Sequence, residues 1–247
     1  MRPMIQIEAL VKRFGDVTAV GGVTFEARAG EVTGFLGPNG AGKTTTMRVL
    51  ATLLNPTEGS VRVAGFDTVR EAEQVRRSIG LLTEETGLYD KMTAREQLEF
   101  FGSLYDLGGA ALARRVDDLA EMLGFSENLD RRAGTLSKGN RQKVAVARAL
   151  VHDPPVLLLD EPTAALDVVA SNAMEGFMTG DALRGKCVLL STHIAEEAAR
   201  LCARIVVIAR GAIVAAGAPD DIVERARTKD LRGALLELMG DPNGAPV

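Results

Sequence analysis

Apolar and polar positions along the chain follow two rhythms. Near the start the period is two: Ile5 and Ile7 alternate with polar neighbours, as do Val23 and Phe25, which predicts half-buried strands. Compact apolar runs of strand length follow at 32–36, 60–63 and 79–82. The first of these enters Gly37-Pro38-Asn39-Gly40-Ala41-Gly42 and a helix predicted over 43–54, stopped by Asn55-Pro56. Between 93 and 124 the rhythm becomes helical. Leu98, Phe101 and Tyr105 fall at i, i+3 and i+7, and Val116, Leu119, Met122 and Leu123 repeat the pattern after Gly108-Gly109. Strands return at 156–160, 187–191 and 205–209 with helices between them, and Arg210-Gly211 reads as a tight turn into a last strand at 212–216. Strands that alternate with helices imply a mostly parallel sheet. The expected fold is therefore α/β, with an N-terminal antiparallel β part and a helical lobe, about 86–145, inserted in the core. One domain is expected over 1–228 and a short tail over 229–247, with an amphipathic stretch at 231–239 and a frayed end at 241–244.

Size and charge narrow the picture. A chain of 247 residues buries roughly 70–75% of its unfolded surface, so it needs no disulfide or structural metal to fold. With 29 basic against 33 acidic residues, net charge is −4, and bulk charge offers no footprint for nucleic acid, which is not expected as a partner. Cys187 lies in the apolar run Cys187-Val188-Leu189-Leu190, and Cys202 follows Leu201 on a predicted helix. They lack metal-ligand spacing, which suits a reducing compartment. No apolar run nears the ~20 residues that span a bilayer, and residues 1–7 lack an apolar signal core. Any service to a membrane is expected from its cytoplasmic face, through a partner.

Two motifs carry chemistry. Gly37-Pro38-Asn39-Gly40-Ala41-Gly42-Lys43-Thr44 fits G-x-x-x-x-G-K-[ST], with an apolar strand before it and a helix after. The glycines let successive N–H groups turn inward onto phosphate oxygens, and the helix N-terminus adds partial positive charge. Lys43 is expected to reach the β- and γ-phosphates of ATP, Thr44 to ligate Mg²⁺, and Thr45 to hold the α-phosphate region. Val156-Leu157-Leu158-Leu159-Asp160-Glu161 is an apolar strand that ends in two acids. At such a tip Asp160 can hold the Mg²⁺ shell, and Glu161 is placed to deprotonate or orient a water. Two solvated acids at a strand end are the plain alternative, made less attractive by a phosphate cradle in the same chain.

Five further segments, with those two, resemble the ABC-type ATPases over Ile5 to about Val223. The resemblance implies a RecA-like P-loop NTPase core. Leu136-Ser137-Lys138-Gly139-Asn140 resembles the signature LSGGQ, with Lys138 and Asn140 in place of the commoner Gly and Gln, ahead of a helix predicted over 141–151. By that resemblance Ser137 and Gly139 bind the γ-phosphate held by a second copy, which makes the working unit a head-to-tail dimer. Ala164-Ala165-Leu166-Asp167 resembles the D-loop, and Ser191-Thr192-His193 the H-switch, with His193 near the γ-phosphate and the attacking water. Phe14 matches the family's adenine-stacking aromatic, with a core phenylalanine as the alternative. Ile79-Gly80-Leu81-Leu82-Thr83-Glu84 aligns with the Q-loop, where Glu84 replaces glutamine. A carboxylate can join a Mg²⁺ shell but, ionised, cannot donate to water. His152, between Val151 and Asp153-Pro154, reads as a solvated loop residue.

In the family the region after the Q-loop takes the coupling helix of a membrane partner, so Leu88, Tyr89 and Met92 are expected docking contacts. The strings around Ser137, His193 and Gly87-Leu88-Tyr89-Asp90 are similar to the sodium-efflux and drug-efflux branch of ABC exporters, which uses separate integral membrane permease subunits. The rival is a soluble ABC ATPase acting on ribosomes or DNA. Such proteins commonly carry two cores or a long coiled coil, and this chain has neither.

Overall fold

The computed structural model describes residues 3–164, 166–180, 183 and 185–240. The chain opens with three strands, β1 (Pro3–Phe14), β2 (Val17–Arg28) and β3 (Val32–Leu36), and then helix α1 (Lys43–Leu50). β4 (Glu58–Val63), β5 (Phe66–Asp67), α2 (Ala72–Ser78) and β6 (Ile79–Leu82) follow, and then the helices α3 (Ala94–Ser103), α4 (Gly109–Met122) and α5 (Lys138–Leu150). The second half alternates: β7 (Val156–Asp160), α6 (Val168–Thr179), β8 (Cys187–Thr192), α7 (Ala195–Leu201), β9 (Arg204–Ala209), β10 (Ala212–Gly217), α8 (Pro219–Ala226) and α9 (Leu231–Gly240).

Two sheets result. An antiparallel sheet has the order β2-β1-β4-β5, and a second has the order β10-β9-β3-β8-β7-β6, parallel except for its edge strand β10. The inner strands β7 and β8 are buried at every position, which is why they read as continuous apolar runs without alternation. Their side chains still alternate between two cores. Leu157, Leu159, Val188 and Leu190 face the helical side with Leu98, Val116 and Val144, while Val156, Leu158, Cys187 and Leu189 face the antiparallel sheet and α1. β9 and β10 meet at Arg210 and Gly211, both with positive φ, the turn whose twist suits a two-residue hairpin.

Four expectations move. The first helix stops at Leu50, four residues short of the expected end at 54. Thr52 takes φ 61°, and Leu53 N–H returns to Arg48 O at 2.9 Å, the closing bond of a left-handed helix end usually marked by glycine. The helix expected over 141–151 starts three residues earlier, because the Ser137 hydroxyl caps it by accepting from Asn140 N–H at 3.3 Å. His152 is half-buried, not solvated: it stacks on Tyr105 at 3.7 Å and 5°, and its Nε2 lies 2.9 Å from Ile79 O. Leu88 is 8% exposed and part of the core, so only Tyr89 of the three expected docking residues is exposed. The stretch at 231–239 is helical and packs on α7 and α8, and the expected frayed end at 241–244 lies outside the described residues.

Candidate functional site

The glycine-rich loop is fixed by what surrounds it. A Cβ on Gly37 would stand 2.2 Å from the Ile208 carbonyl, and one on Gly42 would stand 2.7 Å from that of Ala19 at φ 107°. Only glycine lets the loop lie this close to β9 and β2. Lys43, the first residue of α1, is 5% exposed. Its ammonium donates to Gly37 O at 2.7 Å and Pro38 O at 3.2 Å, and lies 3.4 Å from Glu161 Oε1.

Parallel pairing of β7 with β8 brings the other chemical groups to the same sheet end, with Asp160 opposite Ser191. Asp160 is 3% exposed, and among the described residues its Oδ1 has no hydrogen-bond partner. Glu161 leaves the strand at φ 52°, a left-handed conformation that costs an L-residue of this kind on the order of 1–3 kcal/mol. Its N–H donates to Ser191 O at 2.9 Å, which pins the turn. Its Oε2 lies 2.9 Å from His193 Nδ1. An ionised carboxylate only accepts, so the imidazole holds its proton on Nδ1.

One cleft of about 220 Å³ gathers Asn39, Gly40, Gly42, Lys43, Thr44 and Thr45 with Glu84, Glu161 and His193. Pro38 joins through its carbonyl, and Ala41 is buried beneath. A neighbouring hollow of about 310 Å³ joins Thr44, Glu84 and Asp160. A buried unpartnered carboxylate oxygen, an exposed hydroxyl and an exposed carboxylate are hard donors of the kind Mg²⁺ takes, phosphates and waters completing its octahedron. These residues fit the ion.

Phe14, Ser137, Gly139 and Asp167 do not line that cleft. Phe14 stands 48% exposed at the end of β1, with Lys12 Nζ 5.1 Å from its ring centre. Ser137 caps α5 and Asp167 caps α6, the latter accepting from Ala170 N–H at 2.8 Å. Gly139 lines a separate crevice with Leu166 between α5 and α6.

Some contacts around the site had no reading in the sequence. Gln142 of α5 donates to Pro162 O at 2.6 Å, and Thr163 Oγ1 donates to Glu197 Oε1 at 2.6 Å. Arg148 of α5 donates to Thr86 O at 2.7 Å and Gly87 O at 3.0 Å, beside the Phe101 ring. An acid on the apolar face of a helix, Glu197 four residues before Leu201, was the available signal for one of them.

Residues 20–164 match the family model described as ABC transporter, a span that takes in the glycine loop, the signature segment and the acid pair but stops before His193. The ABC transporter ATP-binding protein NatA of Bacillus subtilis (strain 168) is 44% identical over 92% of this chain and 95% of its own length. The Nod factor export ATP-binding protein I of Burkholderia lata is 40% identical over 89% of this chain and 72% of its own length. A dimeric ATP-binding cassette in a post-hydrolysis state, bound to ADP and phosphate, superposes with a TM-score of 0.79 at 27% identity, over 87% of this chain and 98% of that one. Among the described residues no helix is long and apolar enough to cross a membrane. The chain belongs to the ABC transporter family, as one of its ATP-binding, ATP-hydrolysing subunits.

Proposed function

We propose that this chain is the motor of an exporter: two copies pair head to tail at the cytoplasmic face of the membrane, clamp two ATP molecules, and move separate integral membrane subunits that choose the cargo. The observation that carries the reading is the division of the site. The cleft holds the hydrolytic pair Glu161 and His193 beside Lys43, while the signature residues Ser137 and Gly139 lie elsewhere on the same chain. A second copy facing the first would bring its α5 N-terminus, with Ser137, onto the γ-phosphate, and its Asp167 to the shared interface. The dimeric, ADP- and phosphate-bound cassette is a neighbour in fold, and the name of the Burkholderia relative describes export.

The chemistry follows from the side chains. Lys43 exchanges its two loop carbonyls for β- and γ-phosphate oxygens. Thr44, Asp160 and Glu84 would hold a Mg²⁺ ion, which would supply charge neutralisation at the phosphates. Glu161 takes the proton of the attacking water, and His193 is held beside it by its Nδ1–H, which donates to that carboxylate and leaves Nε2 as an acceptor for water. Phe14 offers an exposed ring for adenine. Exposed Tyr89, Phe100 and Leu104 form the apolar face on which the membrane subunit docks.

Glu161→Gln tests the reading. It keeps the shape and removes the base, so turnover is expected to fall by about 10²–10⁴-fold, and ATP is expected to hold the variant as a dimer in gel filtration. A variant that stays monomeric with ATP refutes the closed pair.

A further inference from the structure

Glu197 is a further acid near this region, and the hydrolytic reading gives it no task. It sits in the first turn of α7, 2% exposed, among Ala195, Ala198 and Leu201. Burying a carboxylate this completely costs several kcal/mol unless partners and dipoles compensate. Among the described residues its Oε1 has one hydrogen-bond partner, the hydroxyl of Thr163 at 2.6 Å, and its Oε2 has none. The helix N-terminus favours its negative charge. Thr163 is itself 7% exposed and stands two residues after Glu161.

The segment between them is held at successive positions. Glu161 N–H is anchored on β8 through Ser191 O, Pro162 O accepts from Gln142 of α5, and Thr163 is tied to Glu197 of α7. α7 begins two residues after His193. The bond from Thr163 to Glu197 therefore joins the chain segment carrying the base to the segment carrying the histidine that meets it at 2.9 Å. It also helps to hold Glu161 at φ 52°, a conformation that persists only when its surroundings impose it.

We infer that Glu197 is a positioning residue for hydrolysis: through the Thr163 hydroxyl it fixes the Glu161–His193 pair in the geometry that activates water. This rests on Glu161 being the base. A charge-assisted O–H···O bond is short and roughly twice as strong as a neutral one, which suits a strut.

The test uses the full-length chain and steady-state ATP hydrolysis. Thr163→Val keeps the volume and removes the donor, and Thr163→Ser restores it. The valine variant is expected to lose about tenfold or more in kcat, a barrier change of about 1.4 kcal/mol, while KM and the affinity for a fluorescent ATP analogue stay within about twofold. The serine variant is expected to recover most of the rate. Turnover within about twofold of the parent in Thr163→Val, a parallel loss of nucleotide affinity, or no recovery with serine each overturns the inference. Glu161→Gln is measured alongside: if it keeps full turnover, the role of Glu161 fails; if it loses turnover and Thr163→Val does not, the positioning inference alone fails.

Discussion

Position 84 shows what one atom type can change. Glu84 lines both the phosphate cleft and the hollow that holds Asp160, so its carboxylate can reach a metal shell there. It cannot donate to a water, as the family's glutamine can. Glu84→Gln is therefore expected to keep ATP hydrolysis within about tenfold of the parent, roughly 1.4 kcal/mol or less in the barrier; complete loss in a steady-state assay would contradict a shared role. The glycine loop, Lys43 and the acid pair were legible in the sequence because phosphate binding demands unusual residues at fixed spacing. Glu161 φ, the Glu161–His193 contact and the Gln142 and Glu197 struts were not, since each depends on strands and helices distant in sequence coming to one place.

Among the elements, long apolar runs and clear periods gave the strands and most of the helices, while their ends were set by backbone details. Thr52 ends α1 without glycine, and Ser137 caps α5 within the segment placed ahead of that helix. The junction below α5 was misread because a histidine beside Asp-Pro looks like loop chemistry. There His152 is pressed between Tyr105 and the start of β6. Its Nε2 donates to the Ile79 carbonyl, and its Nδ1 is buried without a partner among the described residues. Burial lowers its pKa below the usual 6.5, outweighing the Ile79 hydrogen bond. The unfolded chain thus takes up a proton first as pH falls. The stabilising contribution is complete above pH 6.5 and is lost as pH drops from there through the lowered folded-state value. Denaturant melts at pH 8 and pH 5 are expected to show this loss, and His152→Gln, which keeps a donor, is expected to flatten it. An unchanged pH slope in that variant would assign the effect to other groups.

For the whole molecule, the two-sheet fold puts the P-loop, the acids and His193 at one end of the parallel sheet and leaves the signature on a helix facing elsewhere. The proposed sharing of the site between two copies can be tested by complementation. Lys43→Ala and Ser137→Ala copies are each expected to be nearly inactive alone. In a mixed pair the two defects fall in the same site, and the other site is intact. Mixing the purified variants is expected to recover ATP hydrolysis that neither shows by itself; no recovery, with pairing confirmed, would argue against the shared site.

The left-handed backbone at Glu161 then has an effect on inheritance. Glycine accepts φ 52° without strain, so a Glu161→Gly exchange is expected to leave the loop folded, with thermal melting no lower than that of Glu161→Ala, while it abolishes hydrolysis. Such a copy would escape the quality control that removes misfolded chains and would compete for normal partners. In a cell carrying both alleles, mixed pairs would keep one intact site, so the damaged copy would lower ATP hydrolysis per pair rather than silence it.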